Sequence, residues 1–241
     1  MSELPPLPTP QQLRERLDAL RASRGFLLPH HGALAAAAPD LHEAYGRMYA
    51  ALTLTERHLD PFEKEFVWLA ILTATRETIG THHLDLFRRA GGTDEVARVA
   101  FRLAGYAGAA DAFALVGEHW RSWFPGIDPV ADYLAGARAL CAEVVAPDLA
   151  DLALLAVHAA SARDWGVAAH LRSAYAARIP EVKLVEALAL VIWPTGVNRF
   201  LEACTIWHGM MVAGQVTPSE LFRAWAETPG QGAFAPEADG R

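Results

Sequence analysis

A chain that repeats its own pattern must bury the same faces twice, and here the repeat governs everything else. One ungapped shift of 87 positions lays Arg76-Glu77 on Arg163-Asp164, His83-Leu84 on His170-Leu171, Ala90 on Ala177, Asp94 on Glu181, Phe113 on Phe200 and Trp120 on Trp207. Each copy keeps an Arg-acid pair with a His seven residues after the Arg. A supersecondary unit of this size, repeated, implies two similar layers that bury their apolar faces on one another.

The punctuation within each copy is helical. Pro61 opens a helix through about Thr78; a second carries His82 and His83 to Ala90 before Gly91-Gly92. Thr93, followed by Asp94 and Glu95, caps a third helix towards Tyr106, and a fourth runs from about Ala109 to Trp123. In the second copy Pro147 opens a helix to about Arg163, a His170 helix follows, Pro180-Glu181 opens the next, and Pro194-Thr195-Gly196 breaks the chain before Phe200 and Trp207. No stretch alternates in the manner of a strand. Pro10 to Arg21 and Asp40 to Leu54 read as lead-in helices, Asp128 to Val145 as a linker helix, and Thr217-Pro218-Ser219-Glu220 as the start of a short last helix before a disordered tail. The expected organisation is therefore a lead-in at 1–58, a first repeat at 59–126, a linker and second repeat at 127–216, and an end segment at 217–241.

Composition suits packed helices: 52% of the 241 residues are hydrophobic and 20% charged. A formal charge of −7 without a Lys/Arg cluster gives no electrostatic footing for nucleic acid or an anionic membrane, so neither is expected as a partner. The polar, proline-rich start and the shortness of apolar runs such as Phe66 to Ala74 predict a cytoplasmic protein. Cys141 and Cys204 stand far apart, with no CxxC for dithiol exchange, and read as small buried hydrophobes.

The residues left for chemistry are histidines and carboxylates. Glu65 heads a helical stripe with Trp68, Leu69, Leu72 and Arg76, whereas Glu63 reads as solvated. A carboxylate on an apolar face is costly unless paired, although a first-turn acid favoured by the helix dipole would look the same in sequence. A neutral imidazole beside it would form an acid-base couple suited to neutral pH. Adjacent His82 and His83 lie about 100° apart on a helix, so at most one of them should face the site, and His83 is chosen because His170 is its counterpart. His158, on one face with Asp151 and Leu154, and His208 read as core or surface. No HExxH occurs, and His82-His83-x-Asp85 is too tight to converge on one ion, so no metal is expected. Trp68, Trp120, Trp193 and Trp207 read as packing residues able to wall a pocket for a cyclic organic acid. GxSxG, GxxxxGK and GxGxxG are absent, which leaves no triad, phosphate or dinucleotide signature and no cofactor.

The segments LDPFEKEFVWLAILTAT, THHLDLFRRAGG and LAGYAGAADAF, with DLALLAVHAAS, AAHLRSAYAARIPE and VIWPTGVNRF, resemble the carboxymuconolactone decarboxylase and alkylhydroperoxidase D-like superfamily. The resemblance implies an all-α fold of two tandem repeats forming a pseudo-dimer, in a homo-oligomer of which a trimer of two-repeat chains is one form. The peroxidase branch carries a CxxC ahead of the histidine; those places here are Arg76 and Ile79, then Arg163 and Gly166. Peroxide reduction then lacks its nucleophile, and the resemblance implies the cofactor-free decarboxylase branch instead. Its implied catalytic residues are His83, Glu65, Glu77 and His170, with Arg76, Trp68, His82 and Trp207 towards substrate. Leu152 holds the place of Glu65 in the second copy, with Asp151 beside it; if carboxylate and His must act together, that copy is expected to have lost the pairing and to serve as scaffold. The function expected is a lyase, decarboxylase or isomerase acting on a small organic acid or lactone; the alternative is a non-catalytic binding or assembly protein.

Overall fold

The computed structural model describes residues 6–232. The expected disorder of the tail lies, from residue 233 onward, outside the described residues. The chain is all-helical, with no strand among the described residues, and it divides into two compact units, Met1–Thr55 and Glu56–Arg241.

The first unit holds α1 (Pro10–Arg24), α2 (Pro29–Ala37), α3 (Pro39–Tyr49) and a π turn at Ala50–Leu54. Each helix opens on a proline, whose missing N–H costs nothing in a first turn. Thr9 caps α1 reciprocally with Gln12, and Gly25, at φ 81°, closes it in the left-handed conformation. α2 has no capping side chain and little periodicity in its sequence, being rich in alanine after its opening proline. Its buried His31 accepts the Leu28 N–H at Nδ1, with the Arg24 guanidinium 3.0 Å from Nε2. Burial, helped by the charges of His30, Arg24 and His42, pushes the His31 imidazole down to about 4.

The second unit begins with α4 (Pro61–Thr75), whose Asp60 and Glu63 cap each other's backbone N–H. Next come α5 (Thr81–Arg89), α6 (Asp94–Tyr106), a 3₁₀ turn, α7 (Ala110–Leu115), and a π turn ending at Trp120. Then α8 (Pro129–Leu140), α9 (Pro147–Ala160), α10 (Asp164–Ala177), α11 (Glu181–Ala189), the short α12 (Ile192–Thr195), α13 (Val197–Val212) and α14 (Glu220–Glu227) complete it. α9 is buried at every position from Leu149 to Ala160, as a helix apolar all round must be, and it packs against α4, α6, α10, α11 and α13. From Asp94 to Trp120 the helical segments run on as one 27-residue stretch, long and apolar enough by length and composition to cross a membrane, a continuity the sequence had split at Tyr106. Ala97, Val99, Ala100, Leu103 and Ala104 of that stretch are packed in the core.

The spacing between the halves is not the constant 87 that an ungapped shift assumes. Pro61 and Pro147 open α4 and α9 at a spacing of 86, and Arg76 (φ 57°) and Ala162 (φ 54°) end their terminal turns at the same spacing. The turns match in detail: the Glu77 N–H donates to Leu72 O at 2.9 Å, and the Arg163 N–H to His158 O at 3.0 Å. From there the spacing is 87: left-handed Gly91 and Arg178, the helix starts Asp94 and Glu181, and the helix starts Ala110 and Val197. One extra residue therefore lies between Ala162 and His170, and aligned through their helices Glu65 falls on Asp151, not on Leu152.

A carboxylate from α11 ties the halves of this unit together. Glu186 Oε2 accepts the N–H groups of His58 and Leu59 at 2.7 and 2.9 Å, while its Oε1 lies 3.4 Å from Lys64 Nζ. Lys183 donates to Glu63 at 2.6 Å, so Glu63 is engaged where the sequence suggested a solvated acid. Both contacts fix the first turn of α4, directly ahead of Glu65.

Candidate functional site

Glu65 is buried in the second turn of α4, and His83 in the first turn of α5. The α4–α5 connection brings them together: His83 Nδ1–H donates to Glu65 Oε2 at 2.8 Å, with both side chains about 95% covered. A carboxylate accepting at Nδ1 fixes the tautomer and leaves the Nε2 lone pair as the basic atom of the neutral ring. The His83 ring stacks on Trp68, centroids 4.1 Å apart and planes 21° off parallel. Trp68 is itself buried, and its Nε1–H has no hydrogen-bond partner, a donor held dry beside the imidazole.

The remaining first-copy candidates divide. The His82 ring lies 4.2 Å from that of His83, so both histidines stand at the couple; helical spacing fixes Cα–Cβ directions but not where two long rings meet. Arg76 is exposed at the left-handed end of α4, and Glu77 spends an oxygen on the Ile79 N–H in the loop that follows. The structure pairs neither with His83. Trp207 is fully buried, donates from Nε1 to the Tyr175 hydroxyl and packs on Phe222 and Trp225, which makes it a core residue at α14. Trp120 is 47% exposed and packs no core.

The second half is not a bare scaffold, as the loss of a Glu65 equivalent had suggested. Asp151 on α9 meets His170 on α10: His170 Nδ1–H donates to Asp151 Oδ1 at 2.8 Å. The expectation failed because the constant shift hid the one-residue offset and pointed to Leu152. The other oxygen, Oδ2, accepts the Ser173 hydroxyl at 2.7 Å, and Arg138 of α8 donates to Ser173 Oγ at 3.2 Å. In place of a tryptophan, His170 stacks on His158, centroids 5.3 Å apart and planes 22° off parallel. His158 Nε2 and the Tyr133 hydroxyl share a hydrogen bond of 2.8 Å. Burial, then the charges of His170 and Arg163, hold His158 well below the usual imidazole range, and burial raises the Tyr133 phenol. His158, Tyr133, Ser173 and Arg138 were missed as site residues; the available signal was that His158 shares a helical face with Asp151.

Neither thiol is poised to react. Cys141 is buried and donates to Ala137 O, and burial, with the Asp151 charge, raises its pKa. Burial pushes the Cys204 thiol up to about 11. Among the described residues no three His, Cys, Asp or Glu side chains are grouped to hold a metal ion. What the site offers is two His–carboxylate pairs, each holding a basic nitrogen in a nearly dry setting. Compared with known proteins, the chain matches no protein-family profile, no curated protein and no solved structure.

Proposed function

We propose that the chain is a cofactor-free acid-base enzyme, of lyase, decarboxylase or isomerase type, acting on a small organic acid or lactone. The observation that carries this is the Glu65–His83 pair, 2.8 Å apart and almost fully covered, with the unpartnered Trp68 Nε1–H beside it. In this reading His83 Nε2 takes and returns the substrate proton, Glu65 orients the ring and stabilises its imidazolium, and Trp68 donates to a substrate oxygen. His82 contributes to the wall. The matched helix starts and left-handed ends of the two halves support a tandem duplication of the carboxymuconolactone decarboxylase-like type folded as a pseudo-dimer; in this reading the chain assembles further as a homo-oligomer in the cytoplasm.

The test is turnover of carboxylated lactones and β-oxo acids, followed by release of CO₂ or by isomer formation. His83→Ala should abolish turnover with helicity by circular dichroism intact, and full activity in that variant would sink the proposal. Near-complete burial of His83 favours a second reading, a binding or assembly protein that holds a small acid without converting it. A metabolite that co-purifies and is recovered unchanged after long incubation would decide for it.

A further inference from the structure

One matched tryptophan meets opposite fates in the two halves. Trp120 and Trp207 stand equally far along the helical segments that start at Ala110 and Val197. In the later half α14 lies over the indole: Phe222 stacks on it at 5.3 Å, Trp225 meets its edge at 5.6 Å, and Trp207 is fully buried. In the earlier half α8 is the helix that follows, but its Tyr133 meets Phe113 and Trp165 instead, and Trp120 stays half exposed. Other apolar side chains share its exposure. Leu115 precedes the π turn, whose bonds close five residues apart and set the backbones of Leu115 and Trp120 one turn from each other. Trp123, Phe124 and Ile127 follow in a wound loop, where the N–H groups of Trp123 and Phe124 donate to Trp120 O and that of Ile127 to Phe124 O, at 2.9 to 3.1 Å. All five side chains are exposed, Trp123 by 79%. A hydrogen-bonded backbone thus holds several large apolar groups in water within a few turns of chain, and a patch of this kind marks an interface.

We propose that the segment from Leu115 to Ile127 is a self-association face, on which a second copy of this chain docks about a two-fold axis. The later half shows which chemistry covers the matching tryptophan, aromatic side chains, and a second copy of the segment offers the same in Trp123 and Phe124. The area suffices. At about 200 Å² for a whole aromatic side chain, the exposures of Trp120, Trp123 and Phe124 leave roughly 350 Å² bare, and Leu115 and Ile127 bring the face to about 500 Å². Two such faces closing on each other cover about 1,000 Å², where specific interfaces begin. The charges complement one another as well. Exposed Glu118 and Arg121 lie on this segment with opposite signs, and a two-fold contact can set Arg121 of each copy against Glu118 of the other. This face deepens the assembly proposed above and rests on that part of the reading; the role of His83 is independent of it.

Sedimentation of the intact chain over a range of concentrations should show a monomer–dimer equilibrium. Trp123→Ser, at a side chain outside both core clusters, should keep the helicity and raise the dimer dissociation constant about thirtyfold, the share of a central tryptophan. Glu118→Arg and Arg121→Glu should each weaken the dimer about tenfold through like charges. An equimolar mixture of those two variants should recover it, because the two-fold contact then sets opposite charges together at both ends. An oligomer that persists unchanged in Trp123→Ser, or a mixture no tighter than its components, would overturn this face while leaving assembly in place. A chain monomeric at every concentration would overturn both. If that monomer sediments with phosphatidylcholine vesicles and Trp123→Ser does not, the face belongs to a lipid surface instead of a second copy.

Discussion

The two buried His–carboxylate pairs use the same bond in opposite surroundings. Glu65–His83 rests against the apolar plane of Trp68, whereas Asp151–His170 sits inside a polar chain running from Arg138 through Ser173 and on, across the stacked rings, to His158 and Tyr133. A pair backed by an indole has one basic nitrogen and little to share its proton with. A pair inside a network has its protonation fixed by its neighbours, and each member depends on the others. Two pairs built on the same contact can thus behave differently according to the plane behind them.

The sharpest way to break the contrast is to remove each carboxylate. Asp151→Ala orphans two buried donors, the His170 N–H and the Ser173 hydroxyl, and should cost about 4 kcal/mol in urea unfolding at about 2 kcal/mol each, against about 2 kcal/mol for Glu65→Ala, which orphans one. Equal losses would show that the Ser173 limb adds nothing. Next, Gly166→Ala should destabilise by about 2 kcal/mol because the His158 ring must move, outweighing the helix propensity gained. Its first-half counterpart Ile79, more than half exposed, should tolerate alanine within about 0.5 kcal/mol in the same assay. Tyr133→Phe should cost about 1 kcal/mol for one buried hydrogen bond.

A further effect is expected on pH dependence. His158 binds its proton less readily folded than unfolded, so its contribution is fully present above the unfolded value near 6.5 and is lost as pH falls below it. Unfolding midpoints measured from pH 7 to pH 5 should therefore decline less steeply in His158→Gln than in the parent, and identical slopes would remove His158 from the account. His31 has the same sign in the first unit, where the loss runs from about 6.5 down to about 4.

Much of this was legible in the residues, and what was not has physical causes. Prolines at first-turn positions and the Thr93 cap marked helix starts correctly, since they act through the local backbone alone. The ends were read too long: α4 stops at left-handed Arg76, a conformation that its side chain does not announce. Glu65 and His83 were nameable because their residue types are costly to bury unpaired. Asp151 stands one place from the expected position because the spacing changes from 86 to 87 between Ala162 and His170, which an ungapped comparison cannot register. The position of His158 depends on the absence of an atom at Gly166, on a different helix, which no periodicity encodes.

The carboxylate of Glu186 bears on how such a molecule can change. It belongs to the later half yet closes the backbone at His58 and Leu59, just ahead of the helix that carries Glu65. The first half therefore does not hold the start of its Glu65 helix on its own: that start is closed by a side chain of the later half. A substitution at position 186 is, for Glu65, a change at its own doorstep, since it reaches the backbone and the lysine that open the Glu65 helix.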